Sequence, residues 1–292
     1  MVKWFQEQGS PLVLDVLAAN LPIFSLFAGS NTHHTMQWTL KMAGQPVSAA
    51  LTVRPADGRR ALAAMSERKL WLLGLNKCVR GGSWTNALDV AQPVGTVTLT
   101  LDEIGSIYPD IQPTPLRYGH AHLRESHHLR ALQAALDSIY TMLTTLANTR
   151  ITITDLNGGF APVSFPLLEN FHAALDSQTL VSGAATYTLT FPQWVLGELA
   201  HGCLYANPQY FNIGSLLGMR LYELAASLNL TDASPSADIP FTLICDRTAC
   251  HHDPAHLLKR LLVCVKLNHL PDYTLSFDRN SQVLRISRRK ES

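Results

Sequence analysis

Charged residues are scarce in this chain of 292 residues. Asp, Glu, Lys and Arg make up only 15% of it, and 23 basic against 22 acidic groups leave a formal net charge of +1. A chain built to meet a polyanion with one uniform basic field is therefore excluded, although a local basic face is not. Cysteine is scarce too: five residues, an odd number, make no disulfide scaffold and fit a reduced cytoplasmic protein. No apolar run reaches the ~18 residues that a membrane span needs. The stretch from Pro11 to Phe27 comes nearest, but Asp15, Asn20 and Pro22 interrupt it. It also lacks the basic flank and small-residue cleavage site of a signal peptide. The expectation is a soluble, cytoplasmic protein with no membrane partner.

Catalytic signatures are missing as well. There is no G-x-S-x-G elbow, P-loop, H-E-x-x-H or paired-carboxylate motif, so no enzyme and no cofactor are expected. Cys245, Cys250, His251, His252 and His256 fall close together. Their spacing matches no zinc template, because paired Cys-x2-Cys and His-x3–5-His halves are not both present. Buried cysteines and surface histidines are expected, and no metal.

What the chain does have is a core. Apolar residues make up 47% of it, which excludes a disordered or collagen-like chain. At ~100–200 residues per domain, the length predicts two domains. Charge is distributed unevenly between them. Residues 1–150 carry 13 basic and 10 acidic groups, 151–240 carry one basic group (Arg220) and seven acidic, and 241–292 carry nine basic and five acidic. Two mildly basic segments flank an acidic one.

The pattern predicts a lead-in over the first 30 residues, then a hairpin from Met36 to Val53 turning at Ala43-Gly44-Gln45-Pro46. A helix follows from about Arg60 to Cys78, and a strand over Thr96–Leu101. A short helix is opened by a Thr100/Glu103 capping box. A long helix from Ser126 to Asn148 carries Leu129, Leu132, Leu136, Ile139, Tyr140 and Leu143 on one face. Strands at Arg150–Thr154 and Phe160–Phe165 flank Asn157-Gly158-Gly159, a hairpin signal. In the second half come a strand (Thr186–Thr190), a helix after Pro192, a helix over Gly214–Asn229 and a polar loop over Thr231–Asp238. A short helix (Phe241–Arg247), a helix from Asp253 to about Asn268 and strands at 273–277 and 283–287 complete it. Helix, short helix, long helix and hairpin is the order of a winged helix, and it occurs twice. The expected fold is α+β, two tandem winged-helix domains divided as 1–165 and 166–292, the second a DNA-binding domain.

The helix from Asp253 is the most informative stretch. Leu258, Leu261, Leu262 and Val265 form an apolar stripe, while His256, Lys259, Arg260, Val263 and Lys266 share the other side, with no carboxylate after Asp253. A helix entering a major groove needs this division, since its back must pack while its front meets phosphates and base edges. An ordinary amphipathic surface helix carries the same pattern; what separates the two is whether the basic strip is exposed and unneutralised. Beyond it, Arg279 sits at the hairpin tip, and Arg285, Arg288, Arg289 and Lys290 follow. The first half has a weaker cluster, Arg117, His120, His122, Arg124, His127, His128 and Arg130, whose histidines are mostly neutral at pH 7.

Ser215-Leu216-Leu217-Gly218-Met219-Arg220-Leu221-Tyr222-Glu223-Leu224 resembles the Arg-Leu-Tyr-Glu-Leu helix of plasmid replication initiator proteins with tandem winged-helix domains. Asn268-His269-Leu270-Pro271-Asp272-Tyr273, with Leu284-Arg285-Ile286, resembles the wing of the replication initiator protein A branch. Val97–Ile104 and Leu136–Ile153 resemble the first winged helix. The likeness spans residues 36–290 loosely, and only the Arg-Leu-Tyr-Glu-Leu block and the terminal wing are specific. It implies a protein that binds repeated double-stranded DNA sites at an origin and recruits the host replicative helicase and initiator, with homodimers serving control. It assigns base contacts to His256, Lys259, Arg260, Val263 and Lys266, and phosphate contacts to Arg279, Arg285 and Arg288. Arg124, His127, His128 and Arg130 become phosphate or groove contacts of the first domain, which otherwise serves dimerisation. Two features depart from the family: the chain is nearly neutral where members are usually basic, and the first long helix lacks a basic face. A protein-interaction module on a degenerate winged scaffold and a transcriptional repressor therefore stay open beside the initiator. Arg220 is expected to act through folding, paired within a core helix.

Overall fold

The N-terminal apolar stretch forms a strand, β1 (Leu12–Asp15), that runs directly into a short helix, α1 (Val16–Asn20). Asp15 caps it, accepting a hydrogen bond from the Ala18 N–H at 2.7 Å. The computed structural model describes residues 11–26, 34–42, 45–57, 61–81, 95–111, 121–157, 161–174, 185–250 and 253–289. β2 (His34–Met42) and β3 (Gln45–Pro55) pair as the expected hairpin. Helix α2 (Met65–Arg80) begins later than Arg60, because the Glu67 carboxylate accepts the Ala64 N–H at 2.8 Å and fixes the first turn there. β4 (Gly95–Thr100) leads into α3 (Leu101–Ile107), closed by the expected capping box: Thr100 N–H donates to Glu103 at 2.8 Å, and Glu103 N–H to the Thr100 hydroxyl at 3.2 Å. The long helix α4 (Ala121–Asn148) continues directly into β5 (Thr149–Asp155), followed by β6 (Val163–Pro166), β7 (Asn170–Ala174) and β8 (Thr186–Phe191).

The second half holds α5 (Gln193–His201), β9 (Cys203–Ala206), α6 (Leu216–Ser227), β10 (Ser236–Pro240), α7 (Phe241–Thr248), α8 (Pro254–Leu267), β11 (Tyr273–Asp278) and β12 (Val283–Arg288). The fold is mixed α+β. One three-stranded sheet has the order β10-β12-β11 and another the order β4-β8-β7, all antiparallel. In each, the strand before the short helix lies at one edge and the last strand lies in the middle. The sequence α2-β4-α3-α4-β7-β8 thus matches α6-β10-α7-α8-β11-β12.

That match relocates several expected elements. The β5–β6 hairpin, expected as the wing of the first half, instead joins β2 and β3 in a four-stranded sheet ordered β2-β3-β5-β6. Strand β8, expected to open the second half, closes the first unit's sheet. It alternates buried Tyr187, Leu189 and Phe191 with threonines, and its Thr188 hydroxyl meets that of Thr98 on β4 at 3.1 Å. α2 lies directly on this strand: a Cβ added at Gly74 would come within 2.8 Å of Leu189 Cδ1. The division at 165/166 falls inside β6 and separates β4 from β7 and β8. The polar loop expected over Thr231–Asp238 contains the start of β10, a strand of low intrinsic propensity that forms because β12 pairs with it and Ile239 is buried.

The two units share one apolar core, and a buried charged network crosses it. Arg68 of α2 meets Asp15 at 2.7 Å and Glu223 of α6 at 3.0 Å, all three fully buried. Glu223 also meets Arg220 at 3.4 Å and accepts the Tyr210 hydroxyl at 2.8 Å. Burial opposes the Arg68 charge, but Asp15 and Glu223 outweigh it and hold the guanidinium above its ordinary range. Burial pulls Arg220 down, against the pull of Glu223. The Arg68 guanidinium stacks 5.0 Å from the Phe24 ring centroid and 4.7 Å from that of Trp71. Arg220 donates to the Ala18 carbonyl and, at 2.9 Å, to the Arg247 carbonyl; Arg247 in turn donates to the Asn20 carbonyl. The β1–α1 segment, whose strand pairs with β9, is thereby fastened to α2, α6 and α7.

Truncating Glu223 to alanine leaves Arg68 with Asp15 alone and takes from the buried Arg220 the carboxylate it meets. The expected loss is about 3–5 kcal/mol of unfolding free energy, read by urea denaturation of the whole chain. A loss no larger than that of an exposed pair, about 0–1 kcal/mol, would show that the network does not hold the junction.

Candidate nucleic-acid interface

Helix α8 starts cleanly. Asp253 accepts the His256 N–H at 2.9 Å, and Pro254 occupies the first turn, where a missing N–H costs nothing. The helix ends at Asn268, which takes the left-handed conformation and accepts the Leu275 N–H at 3.0 Å, fixing the step into β11. Its buried face is Leu257, Leu261 and Cys264, at spacings of four and three, with Leu258, Leu262 and Val265 half-buried at the flanks. The expected stripe of Leu258, Leu261, Leu262 and Val265 is thus rotated: the helix docks on α6 and β11 through its Leu257–Leu261–Cys264 edge.

The opposite face is open. His256, Lys259, Arg260, Val263 and Lys266 are all exposed, as is Leu267, and Lys259 and Lys266 have no carboxylate partner among the described residues. Beside this face lies the start of α6. The Ser215 hydroxyl accepts the Gly218 N–H at 3.1 Å and sits 3.6 Å from Cys264 Sγ. Gly214–Leu217, Lys259, Arg260, Val263, Cys264 and Leu267 line a groove of about 410 Å³. Burial pushes the Cys264 thiol up, with Ser215 and the Arg260 charge working against it, so this cysteine packs as a protonated thiol.

The hairpin beyond α8 differs from expectation. Arg279 is exposed at the turn, whose shape Asp278 sets by accepting the Asn280 N–H at 2.9 Å and the Ser281 hydroxyl at 2.6 Å. Arg285, however, forms a two-pronged pair with Asp238, Nε to Oδ1 and Nη2 to Oδ2, both at 2.7 Å. That bonding holds the Asp238 carboxyl below its ordinary range. Arg288 lies 3.6 Å from Asp232, and Arg289 donates to the Tyr273 and Asn268 carbonyls. Of the three expected phosphate contacts here, Arg285 and Arg288 carry their own counter-charges. Their partners escaped the sequence reading because they sit in the stretch taken as a loop, and only the β10–β12 register sets Asp238 opposite Arg285.

In the first half, Arg124, His127 and His128 lie on α4, but their side chains fall outside the described residues. Arg130, one turn on, is exposed; farther along, Gln133 donates to Asp137 at 2.8 Å. Of the expected apolar face, Leu132, Leu136, Ile139 and Leu143 are buried, whereas Tyr140 is exposed. Cys245 and Cys250 are buried, His256 is exposed, and His251 and His252 lie outside the described residues. Among the described residues there is no cluster of three or more His, Cys, Asp or Glu fit to hold a metal, and no helix long and apolar enough to cross a membrane. A cleft of about 610 Å³ lies between β9 and β11. Two of its charged groups are engaged within the fold: Asp272 accepts from Tyr222 and Asn207, and Arg289 binds the two carbonyls already named.

No protein-family model and no curated protein matches this chain. Among solved structures it is similar to the crystal structure of domains 2 and 3 of RctB, at 14% identity, over 94% of this chain and 100% of that one, with a TM-score of 0.50. At that identity the likeness is one of fold, and it takes in both units.

Because the strip on α8 contributes nothing to the core, it can be altered without cost to folding. Replacing Lys259 and Arg260 together by alanine is expected to leave the unfolding free energy within about 0.5 kcal/mol of the parent. Thermal and urea melts check this, and a larger loss would assign these side chains to the fold.

Proposed function

We propose that the chain is an initiator-type protein that binds repeated double-stranded DNA sites at an origin of replication, on a plasmid. The two matching units act as tandem winged helices, and α8 is the recognition helix of the second. One observation carries the reading: an exposed cationic strip, Lys259, Arg260 and Lys266, with His256 on the same face, on a helix that has no carboxylate after its cap and packs through its other edge. Such a helix can lie in a major groove while its basic side chains neutralise the flanking phosphates. The likeness to domains 2 and 3 of RctB supports an initiator-like fold. Arg279 at the hairpin turn meets phosphate beside the groove, whereas Arg285 and Arg288 reach it only by exchanging Asp238 and Asp232 for phosphate. In the first unit, Arg130 and its neighbours Arg124, His127 and His128 contribute weaker contacts. In this reading the protein is cytoplasmic, catalyses no reaction, needs no cofactor, forms homodimers for control and engages the host replicative helicase and initiator.

A protein-interaction role has one observation in its favour, the neutralisation of Arg285 and Arg288 by carboxylates on the same sheet and its adjoining loop. Salt dependence separates the two. Duplex DNA carrying the repeats next to this coding sequence is expected to bind with an affinity that falls steeply as salt rises, because phosphate contacts release counterions. The Lys259→Ala/Arg260→Ala variant is expected to weaken binding and to flatten the log–log salt slope by about two. Binding without a salt slope, or an unchanged slope in the variant, would remove DNA from the reading.

A further inference from the structure

The strip on α8 is not only basic. At its centre stands Val263, 54% exposed, and one turn on stands Leu267, 56% exposed. Neither side chain serves the core, which α8 meets through Leu257, Leu261 and Cys264. Both line the groove that also holds Lys259 and Arg260. On a helix, residues three and four apart are neighbours, so Lys259, Arg260, Lys266 and Leu267 all border Val263. An apolar spot ringed by cations suits a partner that is anionic at its rim and carries isolated apolar groups at its centre. A DNA major groove is such a surface: phosphates line both edges, and the one apolar group on its floor is the C5 methyl of thymine.

We infer that Val263, with Leu267 beside it, reads thymine methyls, so that the sites this protein prefers carry an A·T pair opposite the middle of α8. This rests on the DNA reading above and adds the identity of the base. Val263 has no hydrogen-bonding atom in its side chain, so its selectivity comes from apolar contact alone. Lys259 and Arg260 bring the helix to the duplex, and Val263 separates thymine from cytosine at the same groove position. A cytosine there presents an amino group and no methyl, and its polar edge is left facing a valine.

The test isolates the methyl. A random-sequence duplex pool about two helical turns long is enriched on the full chain at low salt. The recovered sequence is then resynthesised with deoxyuridine replacing thymidine one position at a time, which deletes the methyl and leaves every hydrogen-bonding group in place. At one or more positions the parent protein is expected to bind the uracil duplex about fourfold more weakly per methyl. Val263→Ala is expected to lose the methyl sensitivity at one or more of these positions, while Lys259→Ala weakens both duplexes by the same factor and keeps the difference. A recovered sequence with no position sensitive to the methyl would overturn the inference and leave DNA binding intact, as would a Val263→Ala variant that keeps the parent's sensitivity. Failure to enrich any sequence would overturn both and assign the groove to a protein partner. Because Val263 is exposed, a matching melting curve for the variant separates lost contact from lost fold.

Discussion

A carboxylate with no access to water, Glu223, sits between two arginines from different parts of the chain. It meets Arg68 and Arg220 and accepts the Tyr210 hydroxyl, while Arg68 reaches on to Asp15. Charges this deep are tolerated only when each finds an opposite charge and directed hydrogen bonds, because desolvation otherwise dominates. That condition is met at one relative placement of α2, α6 and the β1–α1 segment. An apolar interface alone would permit sliding; a guanidinium held between carboxylates of two different elements does not. The network therefore fixes how the first unit stands against the second, and hence where α8 stands relative to α4.

The same topology decides which cations remain available. α8 holds Lys259 and Lys266 on an exposed face, with no carboxylate partner among the described residues. β12 holds Arg285 in register with Asp238 of β10, and Arg288 near Asp232 just before it. The near-neutral total charge is therefore not spread evenly over the second unit. Among the described residues it is cancelled at Arg285 and Arg288 on the sheet and left without a counter-charge at Lys259 and Lys266 on the helix. A local positive strip of this kind can orient a polyanion, although the whole molecule attracts it weakly at long range.

In the DNA reading proposed above, the strip also carries its own discrimination. Two exposed apolar side chains, Val263 and Leu267, stand among the cations. The groove beside them is walled by the N-terminus of α6, whose cap, Ser215, belongs to the same helix as Arg220 and Glu223. The buried network and the exposed surface are thus two sides of α6. A helix that must hold its place for the core to close also sets one edge of the candidate binding surface.

Much of this was legible in the sequence. The Thr100/Glu103 capping box, the Asp253 cap with Pro254, the apolar spacing of α4 and the alternation of β2 and β3 are local signals, and local hydrogen bonds realise each of them. The basic strip of α8 was legible for the same reason: residues three and four apart share a face whatever the helix packs against. Arg220 was legible as a residue that acts through folding, paired within a core helix, and there it meets Glu223. What the sequence could not decide was pairing between distant strands. Whether β5–β6 or β7–β8 completes the first unit's sheet depends on which strand β4 meets, and the answer lies ninety residues away in β8. The fate of Arg285 was settled by β10, a strand with almost no propensity of its own. Local periodicity determined the helices and the cationic face; long-range register alone determined the sheets, the neutralised arginines and the buried charges, because those contacts exist only once the chain has folded.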